Sequence, residues 1–173
     1  MKREINIFDH AADILNGVHN GVLLTTQSGG KVNTMTISWG SLGIEWGKPI
    51  FTTFVRESRH TKLALDENGE FTVNIPYGDF DKSILAFCGS KSGRDVDKIK
   101  ELGLTLEKGD VVSVPAIKEL PLTLECRVIY KQTQDLSQIP KESQEMFYPN
   151  DAQGRPDIHT AYYGEIVRAY IVE

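Results

Sequence analysis

From Leu122 to Tyr130 every second residue is apolar or aromatic: Leu122, Leu124, Cys126, Val128 and Tyr130. A period of two puts all five on one face of a β-strand. Shorter strand signals surround it at Gly21–Thr26, at Val32–Trp39 after a Gly29-Gly30 turn, and at Ile50–Val55 behind Pro49. Phe71–Ile75 and Ile166–Val172 complete the set. Helical signals interrupt these strands singly. Asp9 caps a short helix through Leu15 that stops at Gly17, and Ser58 caps one that ends near Gly69. Asp79 opens a helix carrying Ile84, Leu85 and Cys88, and beyond Ser92-Gly93 another aligns Val96, Ile99 and Leu102 before Gly103. Residues 132–160 are polar and hold Pro140, Pro149 and Pro156, which predicts an irregular excursion with at most a short helix. Strict strand–helix alternation is missing, and no Gly-x-Gly-x-x-Gly follows a strand, so a doubly wound dinucleotide fold has no support. The pattern predicts a mainly β chain with helices, an antiparallel barrel with the helices outside it. The 173 residues suit a single domain.

Charge then limits function. Nineteen Lys and Arg stand against 24 Asp and Glu, a formal net charge of −5. General nucleic-acid binding needs surplus cations to displace phosphate counterions, so no nucleic-acid partner is expected and any anion site must be local. Cys88 and Cys126 are the only cysteines, too few for a disulfide framework or a four-sulfur metal site. His10, His19, His60 and His159 show no metal-ligand spacing and read as surface or packing residues. No Gly-x-Ser-x-Gly occurs, and the scattered carboxylates single out no general acid or base, so the catalytic residues stay unknown. Met1-Lys2-Arg3 leads into no apolar run, and no segment approaches the ~18 apolar residues of a membrane span. A cytoplasmic protein without a membrane partner is expected.

Three stretches could carry chemistry. In Asn33-Thr34-Met35-Thr36-Ile37-Ser38-Trp39 the hydroxyls of Thr34, Thr36 and Ser38 share one strand face, lining a polar cleft or simply meeting water. Arg56-Glu57-Ser58-Arg59-His60-Thr61-Lys62 gathers four potentially cationic groups at a strand–helix junction. That suits an anion at a helix start, or merely a capped helix with a solvated first turn. Cys88-Gly89-Ser90-Lys91-Ser92-Gly93-Arg94-Asp95-Val96-Asp97-Lys98 lets backbone amides approach an anion, with Arg94 and Lys98 on one helical face away from the core stripe. It lacks the P-loop spacing, and it too could be only a salt-laced link between helices.

Taken together and in order, the three stretches resemble the flavin reductase-like, FMN-binding split-barrel family, and its flavoredoxin-type branch in particular. The matching elements are Asn33-x-Met35-Thr36-x-Ser38-Trp39, Arg56-x-Ser58-x-x-Thr61 and Gly89-x-Lys91-Ser92-Gly93-Arg94-Asp95-x-Asp97-Lys98. The resemblance implies a six-stranded antiparallel split barrel, a homodimer, and one non-covalent FMN per subunit. Met35, Thr36, Ile37 and Ser38 would follow the ring and ribityl chain. Arg56, Ser58 and Thr61 would hold the phosphate with His60 alongside. Cys88, Gly89 and Ser92 would form a loop over ribityl or phosphate, and Lys98 would add a second positive charge; Asn33 and Trp39 belong to the same cofactor-binding set. The implied activity is hydride uptake from NADH or NADPH, or electron uptake from a donor protein, with delivery to flavin or another acceptor. The alternative from a different class is a non-catalytic barrel that binds a phosphorylated ligand or a protein partner. In residues 132–160 an aromatic could cover the flavin, or the segment could serve as a dimer contact or surface loop.

Overall fold

The computed structural model describes all 173 residues. In chain order they form β1 (Lys2–Glu4), α1 (Ala11–Asn20), β2 (Val22–Ser28), β3 (Lys31–Ile37), β4 (Gly40–Glu45) and β5 (Lys48–Arg56). There follow α2 (His60–Asn68), β6 (Glu70–Ile75), α3 (Ser83–Ser90), α4 (Lys98–Leu102), β7 (Leu106–Glu107) and β8 (Ala116–Ile117). The chain closes with β9 (Leu122–Thr133), a 3₁₀ turn (Leu136–Gln138), α5 (Lys141–Phe147) and β10 (His159–Val172).

Eight strands make one antiparallel sheet in the order β3-β2-β6-β9-β10-β5-β4, with β1 added alongside β10. β7 and β8 form a separate two-stranded ribbon. The ends of the path, β3 and β4, are consecutive in sequence and joined by Ser38 and Trp39, yet they do not pair. The sheet is therefore open at that link, and it has eight strands where six were expected. The strand expected to reach Trp39 stops at Ile37, because the chain leaves β3 there and returns as β4 against β5. A Trp46-Gly47 turn, both residues at positive φ (50° and 71°), closes that hairpin. Two glycines and little alternation hid β4 from pattern reading.

β2 is buried on both faces. Leu24 and Val22 join a 19-residue core with Phe51, Phe71, Val73, Leu122, Leu124, Cys126 and Tyr162, while Leu23 joins Ile84, Cys88, Leu104, Ile117 and Leu120 in a second cluster that seats α3. α1 covers the first core through Ile14 and Val18. It begins after His10 and runs through Gly17 to Asn20, correcting the expected cap at Asp9 and stop at Gly17. Gly17 is a close-approach residue, since a Cβ there would lie 2.5 Å from Ile75 Cγ2. The α2 cap is Arg59 and the α3 cap is Lys82, each displaced from the expected Ser58 and Asp79. α4 starts at Lys98 with Asp97 as its cap, so Val96 lies outside it; Gly103 ends it in the left-handed region, as expected.

Along β9 the alternation holds for Leu122, Leu124 and Cys126, all fully buried, and for half-buried Val128, which packs on the same core, and then fails. A register shift opposite Tyr163 and Gly164 leaves an extra residue in β9, so Tyr130 turns outward and is exposed. On the opposite face Glu125 is fully buried. Its carboxylate accepts the N–H groups of Asp110, Val111 and Val112 at 2.7, 2.7 and 3.0 Å, fastening the loop ahead of β8. β10 begins at His159, inside the expected excursion, which therefore spans only 134–158 and holds the short helix α5. No helix is long and apolar enough to cross a membrane.

Candidate functional site

The open link between β3 and β4 borders a cleft of about 560 Å³. β3 contributes Asn33, Met35, Thr36 and Ile37, followed by Ser38 and Trp39. The end of β5 and the turn into α2 supply Arg56, Ser58, His60 and Thr61, while the end of α3 and the loop beyond supply Cys88, Gly89 and Ser92, with Lys98 behind them. The three stretches singled out in the sequence thus converge, and all fourteen residues expected at a cofactor site line this one cleft. Arg59, Ser90, Lys91, Gly93 and Arg94 join from the same stretches. Phe54 and His159 were missed. Phe54 was recoverable, being two residues before Arg56 on the same strand face. His159 enters because β10 pairs it with Arg56, a register that no local pattern reveals.

The electrostatics are one-sided. Of 21 lining residues none is Asp or Glu, while Arg56, Arg59, Lys91, Arg94 and Lys98 are cationic. None of these five forms a salt bridge, although nine Lys and Arg elsewhere do. Lys98 differs from the expected exposed position. Only 3% of it is accessible, and its Nζ donates to the carbonyls of Thr34 (2.8 Å) and Cys88 (2.9 Å), tying α4 to β3 and α3. Burial holds its ammonium below the usual lysine range, and burial likewise pushes the Cys88 thiol up, so that thiol stays protonated at neutral pH.

Several expected ligand groups already have partners. Arg56 donates from Nη1 to Asp157 O (2.8 Å) and from Nη2 to Phe147 O (2.9 Å), and its guanidinium lies 5.3 Å from the Tyr148 ring centre. The Thr36 hydroxyl donates to Leu85 O at 2.6 Å, and Thr61 Oγ1 accepts from Asn33 Nδ2 at 3.1 Å. Arg94 Nη1 donates to Ser58 O at 2.9 Å. Gly93 packs so closely that a Cβ would lie 2.1 Å from Asn33 Oδ1 and 3.0 Å from His60 Cδ2. His60 Nδ1 is buried without a hydrogen-bond partner, and burial, Arg94, Lys31 and Lys98 all depress its pKa.

Beside Arg56 an aromatic cluster borders the cleft, reaching it through Trp39 and His159. Trp39 meets Phe147 edge-on with ring centres 5.0 Å apart and lies 5.1 Å from the His159 ring. The Tyr148 hydroxyl is 2.7 Å from His159 Nδ1 and 3.0 Å from Gln134 Oε1. Burial above all, then Arg56, pushes the His159 pKa down to about 4, so its imidazole is neutral at pH 7.

Residues 16–173 match the flavin reductase like domain. The chain belongs to that family. Among curated relatives, an uncharacterized protein of Archaeoglobus fulgidus is 34% identical over 99 residues, 57% of this chain and 55% of that protein. The uncharacterized Escherichia coli protein YddH is 32% identical over 124 residues, 69% of this chain and 64% of YddH. The chain thus spans less than two thirds of the length of these curated relatives. Among solved structures, flavoredoxin from Methanosarcina acetivorans superposes with a TM-score of 0.65 at 31% identity, covering 88% of this chain and 68% of that one.

Proposed function

We propose that this chain is an FMN-binding oxidoreductase of the flavin reductase and flavoredoxin kind, holding FMN non-covalently in the cationic cleft. One observation carries the reading: five unpaired cations and no carboxylate line the main cleft of a chain whose net charge is −5. A phosphate monoester, with roughly −1.5 to −2 charge at pH 7, suits such a surface. Two local features fit the group. His60 Nδ1 lies buried with no partner, and the tight backbone at Gly93 leaves a side-chain-free wall beside it. A volume of about 560 Å³ also falls within the usual range of small-ligand clefts, roughly 300–1,000 Å³.

In this reading Arg56, Arg59 and Arg94, with Ser58, Thr61, Ser92 and His60, hold the phosphate end. Lys98 acts one step back, by fixing Thr34 and Cys88 and adding positive potential. Ser38 and Gly89 flank the ribityl region, and Met35, Ile37, Trp39 and Phe54 give an apolar bed for a ring. A bound flavin supplies the electron and hydride chemistry, and the protein supplies orientation and electrostatics. That division explains why no acid–base pair stands out in the cleft. Neutral His159 has Nδ1 engaged by Tyr148, which leaves Nε2 as its free nitrogen. NADH or NADPH is the proposed hydride source, with a donor protein as the alternative. The open sheet reads as the split barrel implied by the sequence. A homodimer belongs to the same reading, supported by the exposed apolar edge at Ile44 and Trp46.

The test is an FMN titration of the purified protein, followed anaerobically by NADH and then NADPH. Saturable binding with bleaching by a nicotinamide establishes a reductase, whereas bands that persist until dithionite is added establish an electron carrier. Absence of FMN binding rejects the reading and leaves a barrel for some other phosphorylated ligand or for a protein.

A further inference from the structure

The excursion brings a carboxylate onto Ser58, one of the residues lining the cleft. Asp157 sits just ahead of β10, and both its oxygens are taken up by Ser58. Oδ1 accepts the Ser58 backbone N–H at 3.0 Å, and Oδ2 accepts the Ser58 hydroxyl at 2.6 Å. The segment is fastened from behind, since Arg56 donates to the Asp157 carbonyl and Glu57 N–H donates to Ile158 O at 3.0 Å. Yet the Asp157 carboxylate forms no salt bridge with any of the surrounding cations. An amide and a hydroxyl of one serine, beside the start of α2, form a pair of donors suited to either a carboxylate or a phosphate oxygen. In this structure a side chain of the protein itself holds them.

We propose that the Asp157 carboxylate competes with the ligand phosphate for the two donors of Ser58 and so sets how strongly the cleft prefers FMN to unphosphorylated flavin. The inference rests on the FMN reading above. Phosphate binding then displaces Asp157 and loosens the segment that Phe147, Tyr148 and Asp157 anchor over the cleft. Riboflavin uses only the ring and ribityl region and leaves the Asp157–Ser58 contact intact.

The experiment measures dissociation constants for FMN and riboflavin with the wild-type protein, Asp157→Asn, Ser58→Ala and the double variant. Asparagine retains an oxygen that can accept from Ser58, so the turn keeps its fold while losing its charge. Asp157→Asn is expected to tighten FMN by about tenfold while riboflavin changes less than about twofold. In the Ser58→Ala background, which removes the hydroxyl and keeps the amide, the same substitution should bring a smaller gain. Equal changes for both flavins, weaker FMN binding in Asp157→Asn, or a full gain that survives Ser58→Ala would each overturn the proposal and leave Asp157 a turn fastener only. Failure of the wild-type protein to bind either flavin would instead remove the FMN reading itself. Hydrogen exchange gives a second check, because amides of residues 150–158 should exchange faster with FMN bound but not with riboflavin.

Discussion

Two buried bases decide how the cleft behaves at the scale of single residues. Lys98 is enclosed with two carbonyl acceptors and no counter-carboxylate, an arrangement in which its charge is costly unless an anion stands near. It therefore ties the cleft's floor together and favours negative ligands through the same atom. His159 is buried in its neutral form, with a pKa near 4 against 6.5 for the free imidazole. The unfolded chain takes up the proton first, so this contribution to stability is fully present above pH 6.5 and disappears as pH falls toward 4. Integrated over that interval the loss is at most roughly 3 kcal/mol. His60, also depressed, acts in the same direction. The carboxylates depressed by their partners lose their share only at lower pH, which leaves the interval from 6.5 to about 4.5 to the histidines. Thermal melts over that interval should show a falling melting temperature in the wild-type protein and a visibly flatter profile in His159→Gln. Parallel profiles would mean that His159 is not buried neutral.

At the scale of elements, a single side chain can decide whether a segment is held. The loop from Asp110 to Val112 has no regular structure, and three of its amides end on the buried carboxylate of Glu125. Glu125→Ala should leave those donors unmet and cost about 2–4 kcal/mol, a drop of several degrees in melting temperature for a domain of this size. Exchange protection at residues 110–112 should fall with it, and a melting temperature unchanged within a degree would refute the assignment. Glu125 also illustrates what sequence reading could reach. Strands with a clean period of two or a glycine boundary, such as β2, β5, β6 and the first half of β9, were legible because local chemistry alone sets them. β4 was not, since its glycines and exposed apolar residues make sense only as an edge beside β5. The helix caps lie one to three residues beyond the side chains that looked like caps, and one of these, Ser58, bonds to Asp157 instead. Most of the cleft was legible for the opposite reason, being built from three contiguous stretches. The side built from β10 was not, because His159 arrives there through the long-range register of β10 on β5, with Tyr148 hydrogen-bonded to it.

The whole molecule separates its charges and leaves one edge uncovered. A net charge of −5 surrounds a cleft of five cations without a salt bridge, a distribution that concentrates the field lines of an approaching anion at the cleft. Across the sheet, β4 ends the strand path and presents Ile44 and Trp46, 58% and 64% exposed, with no partner on its outer side. Trp46 stands edge-on to Tyr130 with ring centres 6.3 Å apart, and Tyr130 lies 5.2 Å from Tyr163, so the exposed aromatics continue over the neighbouring strands. An open edge beside such a patch invites pairing, and soluble proteins normally blunt one with charge or cover it. Within the proposed function, a second copy of the chain is the cover. Sedimentation of the wild-type protein at micromolar concentration should then give a dimer, and Trp46→Glu should shift it to monomer by placing a charge in the buried centre of the contact. Because Trp46 is exposed in the single chain, the variant should melt within a few degrees of a dissociated wild-type sample, which separates loss of association from loss of folding. A wild-type monomer would reject the dimer, and a Trp46→Glu dimer would move the interface to another face.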